Sequence, residues 1–410
     1  MTRPGYRMTE IGEIPKNWNV KSLDNMIEIL DLKRVPLSET ERANKKGTIP
    51  YCGANGIIDY IDDYIFDEEA VLIAEDGGNY GKFQNKAYIM TGKYWVNNHA
   101  HIFRGRSELL ENKFIMQWLN FSDISPYVSG STRTKLNQEM LKRILVPTPS
   151  LQEQKKITEI LSTADETIQK VNEEIILTKK LKKGLMQTLL TKGIGHTKFK
   201  MTEIGEIPVE WNLTYISSLV SDLIGGGTPS TTNSIFWNGD IPWTRGASLN
   251  NHYLERGELF ITKEGLIHSS TNLIGAGNIL LATRVSVGNV SINKIEVAIS
   301  QDVTALILKK DLIFTEYLYW YLKRLTIQIQ QKSQGSIIKG ILKSDLSKIL
   351  IPLPSLLEQQ KIAEILSTVD HKLELLRNKK THLEELKKSM MEDLLTGRVR
   401  VKIETSKGEN

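Results

Sequence analysis

Met8-Thr9-Glu10-Ile11-Gly12-Glu13-Ile14-Pro15 recurs unchanged as Met201-Thr202-Glu203-Ile204-Gly205-Glu206-Ile207-Pro208, an offset of 193 that also carries Trp18 onto Trp211. A second duplication follows at an offset of 205. Pro147-Thr148-Pro149-Ser150-Leu151-Gln152-Glu153-Gln154 matches Pro352-Leu353-Pro354-Ser355-Leu356-Leu357-Glu358-Gln359, and the likeness runs on to Asp165 and Asp370. Leu189-Leu190-Thr191 falls on Leu394-Leu395-Thr396. The offsets differ by 12, so the second intervening segment is 12 residues longer, and the two segments are dissimilar. Self-similarity over this period reads as two copies of one module. Each copy is a globular segment followed by a long helix, with a shared frame around unlike inserts.

The helices have legible starts. Ser150 with Glu153, and Ser355 with Glu358, fit capping boxes. The prolines at 147, 149, 352 and 354 end the preceding strands. Leu161, Ala164, Ile168, Val171 and Ile175 follow coiled-coil spacing, as do Leu366, Val369, Leu373 and Leu376. The leucines then step by four, at 177, 181, 185 and 189, matched by His382, Leu386, Met390 and Leu394. That shift predicts a local change of winding. Gly193 and Gly397 suit helix C-termini. About 34 residues give rods of roughly 50 Å. The periodicity predicts rod packed on rod. Antiparallel pairing follows from topology, because a globular segment leads from the end of one rod to the start of the next. The order of the repeats makes the chain nearly circular. The expected boundaries are 1–147, 148–199, 200–352, 353–398 and a tail at 399–410.

Both globular segments read as mixed α/β. Gly53-Ala54-Asn55-Gly56 is a turn, and Ala70–Ala74, Asn278–Thr283 and Val303–Leu308 read as strands. The aromatics of Phe114–Leu119 and Tyr317–Leu322 belong to amphipathic core helices. Gly130-Ser131-Thr132-Arg133-Thr134-Lys135-Leu136 aligns with Gly335-Ser336-Ile337-Ile338-Lys339-Gly340-Ile341. Small residues, a hydroxyl and a base suit contact with a phosphate backbone; a plain structural turn is the equal alternative.

The 410 residues suit two or three domains. No run of about eighteen apolar residues exists to span a membrane. The polar start, broken by Pro4 and Pro15, is not a secretory signal. One cysteine, Cys52, excludes an internal disulfide and suits a reducing cytoplasm. Net charge is +5, from 53 basic and 48 acidic residues, so a nucleic-acid face must come from local clustering. Gly77-Gly78-Asn79-Tyr80-Gly81-Lys82-Phe83 lacks phosphate-loop spacing, and the glycines at 225–227 and 275–277 make no dinucleotide fingerprint. No Asn-Pro-Pro-aromatic methylation motif occurs. His99 and His101 would share one face if Val96–Phe103 is a strand, but no third metal ligand accompanies them.

These motifs resemble the specificity subunits of Type I restriction–modification systems over essentially the whole chain. The resemblance rests on Ile-Gly-Glu-Ile-Pro-x-x-Trp at 11–18 and 204–211, on the Pro-x-Pro-Ser-Leu-x-Glu-Gln segments, and on Leu394-Leu395-Thr396-Gly397. It rests also on Gly226-Gly227-Thr228-Pro229, Asp240-Ile241-Pro242-Trp243, Gly277–Arg284, and Ile49–Gly56. It implies two α/β (mixed α+β) target-recognition domains separated by a pair of long antiparallel coiled-coil helices, in a pseudo-twofold repeat. Each domain would read one half of a bipartite, asymmetric duplex DNA target. The helices would set the spacing and dock two methyltransferase subunits, joined by restriction–translocase subunits. S-adenosylmethionine, ATP and magnesium would belong to those partners. This chain would itself catalyse nothing, within a holo-complex that is a site-specific deoxyribonuclease and DNA adenine methyltransferase. From loop position and chemistry, the candidate DNA contacts are Lys33, Arg34, Lys45, Lys46, Arg133 and Lys135, then Arg245, Arg284, Lys339 and Lys343. The rival reading is a coiled-coil scaffold joining two protein- or glycan-binding domains.

Overall fold

A computed structural model describes residues 2–130, 134–332 and 340–403, with residues 327–332 in backbone only. It divides into two compact units. One comprises Met1–Glu173 with Asn378–Asn410, and the other Glu174–Arg377. Each holds one α/β domain, the first half of the long helix that follows it, and the second half of the other long helix.

The two domains share one topology. The first has strands β1 (Ile27–Ile29), β2 (Lys46–Gly53), β3 (Gly56–Ile61), β4 (Phe66–Asp67), β5 (Ala70–Ala74), β6 (Ala87–Met90), β7 (Lys93–Val96) and β8 (Ala100–Gly105), then helix α1 (Asn112–Phe121). The long helix α2 (Leu151–Lys192) follows. The second has β9 (Val220–Gly225), β10 (Trp237–Thr244), β11 (Leu259–Ile261), β12 (Asn272–Ile274), β13 (Ile279–Ala282), β14 (Val290–Asn293), β15 (Val297–Ile299) and β16 (Val303–Leu308), with α3 (Thr315–Lys332) and the long α4 (Leu356–Leu395). The first domain's sheets run β3-β2-β7-β4 and β1-β8-β5-β6; the second's run β11-β10-β15-β12 and β9-β16-β13-β14, with Tyr253–Leu254 added at the edge. One parallel pair recurs, β7 on β2 and β15 on β10. The duplication thus extends through inserts whose sequences do not resemble each other. Alternation and burial fix a strand's place, and many apolar sets satisfy them. As expected, Phe114, Trp118 and Leu119 of α1 and Tyr317–Leu322 of α3 are buried in the domain cores.

The shared motifs explain the frame. Trp18 Nε1 donates to Glu153 Oε2 and Trp211 Nε1 to Glu358 Oε2, both at 3.0 Å. The capping boxes are therefore one-sided. Each glutamate N–H donates to its serine hydroxyl at 3.3 Å, but the carboxylate is engaged by tryptophan and not by the N-cap backbone. Gln154 and Gln359, fully buried, repeat one clamp. Their Oε1 atoms accept from Glu111 N and Phe314 N (2.9 and 2.7 Å), and their Nε2 atoms donate to Pro149 O and Pro354 O (3.0 Å each). Gly193 and Gly397 are left-handed, with φ of 66° and 68°. A Cβ on Gly193 would lie 2.6 Å from the Trp211 ring, and one on Gly397 would lie 2.6 Å from Pro15. Each helix therefore ends against the opposite copy's lead segment, as a nearly circular repeat requires.

Within each unit the helix halves run antiparallel. In the first, Asp165 of α2 pairs with Lys387 of α4 at 2.5 Å and Asn172 with Lys380 at 3.0 Å. In the second, Lys182 pairs with Asp370, and Glu174 with Lys372 at 3.1 Å. Leu161, Val171, Ile175, Leu366, Leu373 and Leu376 are buried; Ala164, Ile168 and Val369 are partly so. The expected shift to steps of four does not occur. Leu177, Leu181 and Leu386 are 66%, 54% and 55% exposed, and His382 is exposed as well. Each step of four turns the stripe by about 40°, carrying those leucines off the seam. The seam keeps its 3-4 alternation through Thr178 and Lys182 on α2, and through Lys380 and Lys387 on α4. A hydrophobic pattern cannot show such polar positions.

Candidate nucleic-acid interface

The ends of β5 and β13 mark the same corner of each domain. Glu75 N donates to His99 O and Leu136 N to Glu75 O, both at 2.8 Å; Thr283 N donates to Asp302 O and Ile341 N to Thr283 O, both at 2.7 Å. Glu75 therefore corresponds to Thr283, Asp76 to Arg284, and His99 to Asp302. Leu136 corresponds to Ile341, the pair that the 205 offset predicts. Arg133 and Lys339, in the same aligned loops, lie outside the described residues.

In the first domain this corner is an ionic network. Arg34 turns inward, donating from Nη1 to Glu75 (2.8 Å) and to Ala100 O (2.6 Å). Lys135 reaches Glu75 at 3.1 Å from a half-exposed position. Burial pushes the Glu75 carboxyl up, but hydrogen bonds from Arg34 and Lys135 outweigh it and hold it below its ordinary value. The two histidines do not share a site, because β7 ends at Val96 and β8 begins at Ala100, leaving His99 between strands. His99 Nδ1 lies 3.0 Å from both Asp76 oxygens, whereas buried His101 bridges Asp31 (2.6 Å) and Leu136 O (2.7 Å). Lys33 is exposed at the end of a short turn (Asp31–Lys33). Lys45 pairs with Asp63 (3.4 Å) and Lys46 with Asp59 (2.8 Å) beside the β2–β3 hairpin. The Lys46 hydrogen bond, helped by the Tyr60 N–H, draws Asp59 down to about 2.

The second domain replaces the ionic network with neutral groups. Thr283 and Thr304 face each other, hydroxyl to hydroxyl, at 3.3 Å. Asp302 is buried, accepting from Gly246 N at 2.8 Å and from the Ser300 hydroxyl. Arg245 is held by both Glu258 oxygens. Arg284 is exposed and makes no ion pair among the described residues. Lys343, also exposed, begins a short helix (Lys343–Ser347). A Cβ on Gly225 would lie 3.1 Å from its Nζ. Arg34 and Lys135 thus meet on Glu75 and Lys45 and Lys46 on the hairpin, whereas Arg284 lies against Gly340 and Lys343 against Gly225. The acceptors that tie Arg34 and Arg245 lie 41 and 13 residues away in sequence, and no motif marks them. Cys52, the single thiol, is pushed up to about 12 by burial, against the usual lowering that reactive thiols need. Among the described residues, no three His, Cys, Asp or Glu side chains are grouped to hold a metal ion.

Two equivalent corners with unlike side chains, one in each unit, are what two-site recognition requires. The profile of the Type I restriction modification DNA specificity domain matches residues 15–179 and again 208–385. The chain belongs to the Type I restriction–modification DNA specificity family. The putative Type I restriction enzyme MjaX specificity subunit of Methanocaldococcus jannaschii is 29% identical, with 97% of each chain covered. The EcoR124I/EcoR124II specificity subunit of Escherichia coli is also 29% identical, over 63% of each. The crystal structure of a Type I S subunit from M. genitalium shares the fold, with a TM-score of 0.62 at 16% identity, covering 96% of this chain and 99% of that one. The protein is therefore a Type I DNA specificity subunit with two mixed α/β recognition domains and paired helices. The scaffold reading has no support among these relatives. Among the described residues no helix is long and apolar enough to cross a membrane.

Proposed function

We propose that the chain reads a bipartite, asymmetric duplex DNA target, one half per α/β domain, and leaves the chemistry to other subunits. The duplicated corner carries this reading: one fold and one set of backbone hydrogen bonds place Asp76 and His99 at the corner of one domain, and exposed Arg284 over buried Asp302 at that of the other. Lysines serve as point contacts to phosphate and set the register; base edges in the major groove select the sequence. The paired helices act as the spacer and dock two methyltransferase subunits, and restriction–translocase subunits add cleavage. S-adenosylmethionine is then held by the methyltransferase subunits, ATP and magnesium by the partners.

Selection from a random duplex pool by the chain with its methyltransferase subunits tests this reading. Two short fixed blocks separated by an unspecified spacer are expected. Enrichment of one continuous block, or of none, would contradict it. Lys135 is an exposed lysine of the first corner. Lys135→Ala is expected to weaken binding to all sequences alike and to lower the slope of log affinity against log salt by about one. An unchanged slope would remove Lys135 from the phosphate contacts.

A further inference from the structure

We propose that Arg284 is the guanine-selecting side chain of the second domain, an assignment that rests on the bipartite DNA reading above. The other corner arginines are already committed: Arg34 to Glu75 and Ala100 O, Arg245 to Glu258. Among the described residues Arg284 makes no ion pair, and the buried acid of the same corner is engaged elsewhere. Asp302 turns its carboxylate to Gly246 N and the Ser300 hydroxyl.

The stem of Arg284 is held while its head is open. Thr283, the preceding residue, is clamped by its N–H to Asp302 O and its carbonyl to Ile341 N. The tip beyond is closed by Ala282 N to Asn289 O (2.8 Å), Gly288 N to Ala282 O (2.9 Å) and Asn289 N to Ser286 O (3.0 Å). Ser286 adopts a left-handed φ of 56°, a conformation uncommon outside glycine. Val285 beside it is 61% exposed. Gly340 passes so close that a Cβ there would lie 3.5 Å from the Arg284 Cα. This fixed base carries a side chain whose paired donors match guanine O6 and N7. Lys343, three residues beyond Gly340, supplies a flanking phosphate contact. At the same corner of the first domain stands Asp76, bound to His99. A carboxylate has no donors for guanine O6 and N7, so guanine selection from this place belongs to one half-site only.

Arg284→Ala and Arg284→Gln, made in the full chain with its methyltransferase subunits, test the assignment through genome-wide methylation maps. With Arg284→Ala, one guanine in one half-site is expected to become unspecified, its preference over other bases falling about 10- to 100-fold, with the other half-site unchanged. With Arg284→Gln the same position is expected to move from guanine toward adenine, which glutamine pairs bidentately. The unchanged half-site reports that the complex still folds and assembles. An unaltered target in both variants would overturn the assignment. So would uniform weakening with a shallower salt slope, the mark of a phosphate contact. A wild-type complex without any split target would instead sink the bipartite reading, and the assignment with it.

Discussion

A chain ending at residue 199 is expected to form a dimer of identical halves and, with methyltransferase subunits, to direct methylation of an inverted-repeat target. In the whole chain the first unit depends on the end of α4. Met391, Leu394 and Leu395 are buried in the same core as Ile14, Trp18 and Leu161, and Lys387 pairs with Asp165. Truncation removes all of them. Losing three buried side chains of this size costs about 2–5 kcal/mol each, as much as the whole stability of an ordinary domain at about 5–15 kcal/mol. The truncated chain retains the same residues on its own α2, 205 positions earlier: Met186, Leu189, Leu190 and Lys182. A second copy can therefore supply what α4 supplied, its Lys182 meeting Asp165 and its Gly193 meeting Trp18. Sedimentation equilibrium should give twice the chain mass, with unfolding that depends on concentration. A stable folded monomer, or a target that is not an inverted repeat, would contradict the pairing.

Seven residues added to both long helices, at the level of the Asn172–Lys380 contact, are expected to lengthen the target's spacer by about three base pairs. A seven-residue insertion leaves the 3-4 seam in phase and extends each helix by about 10 Å, against roughly 3.4 Å per base pair. Methylation at the original spacing is expected to fall by about a thousandfold, toward the non-specific level. Four residues would lengthen the helices less, but they rotate the seam on one side of the insertion by about 40° against the seam on the other. That variant is expected to lose assembly rather than change spacing. Comparing target spacing by methylation mapping distinguishes the two; an unchanged spacer in the seven-residue variant would remove the helices as the spacer.

The frame was legible because it is written twice. Trp18, Glu153 and Gln154 recur as Trp211, Glu358 and Gln359, and each makes the same hydrogen bonds in its own unit. The common topology of the inserts was not legible. Eight strands keep their order while Ala70–Ala74 and Ile279–Ala282 share little beyond being apolar. The helix seam was legible as far as it is apolar, at Leu161 to Ile175, and was lost where Thr178 and Lys182 replace leucine. Among the candidate contacts, residue type and loop position singled out Arg34, Arg245 and Arg284 alike. What distinguishes them is the acceptor each finds in space, Glu75 for the first and Glu258 for the second, and sequence proximity does not report that.

One chain carries two recognition domains on equivalent frames. Whether they read independently is decided by mapping adenine methylation in a methylation-free host that expresses this chain with its methyltransferase subunits. Methylation is expected at one split target, two unlike blocks with a fixed spacer, and is expected to disappear when the chain is omitted. Methylation that persists without the chain, or a single unbroken target, would contradict it.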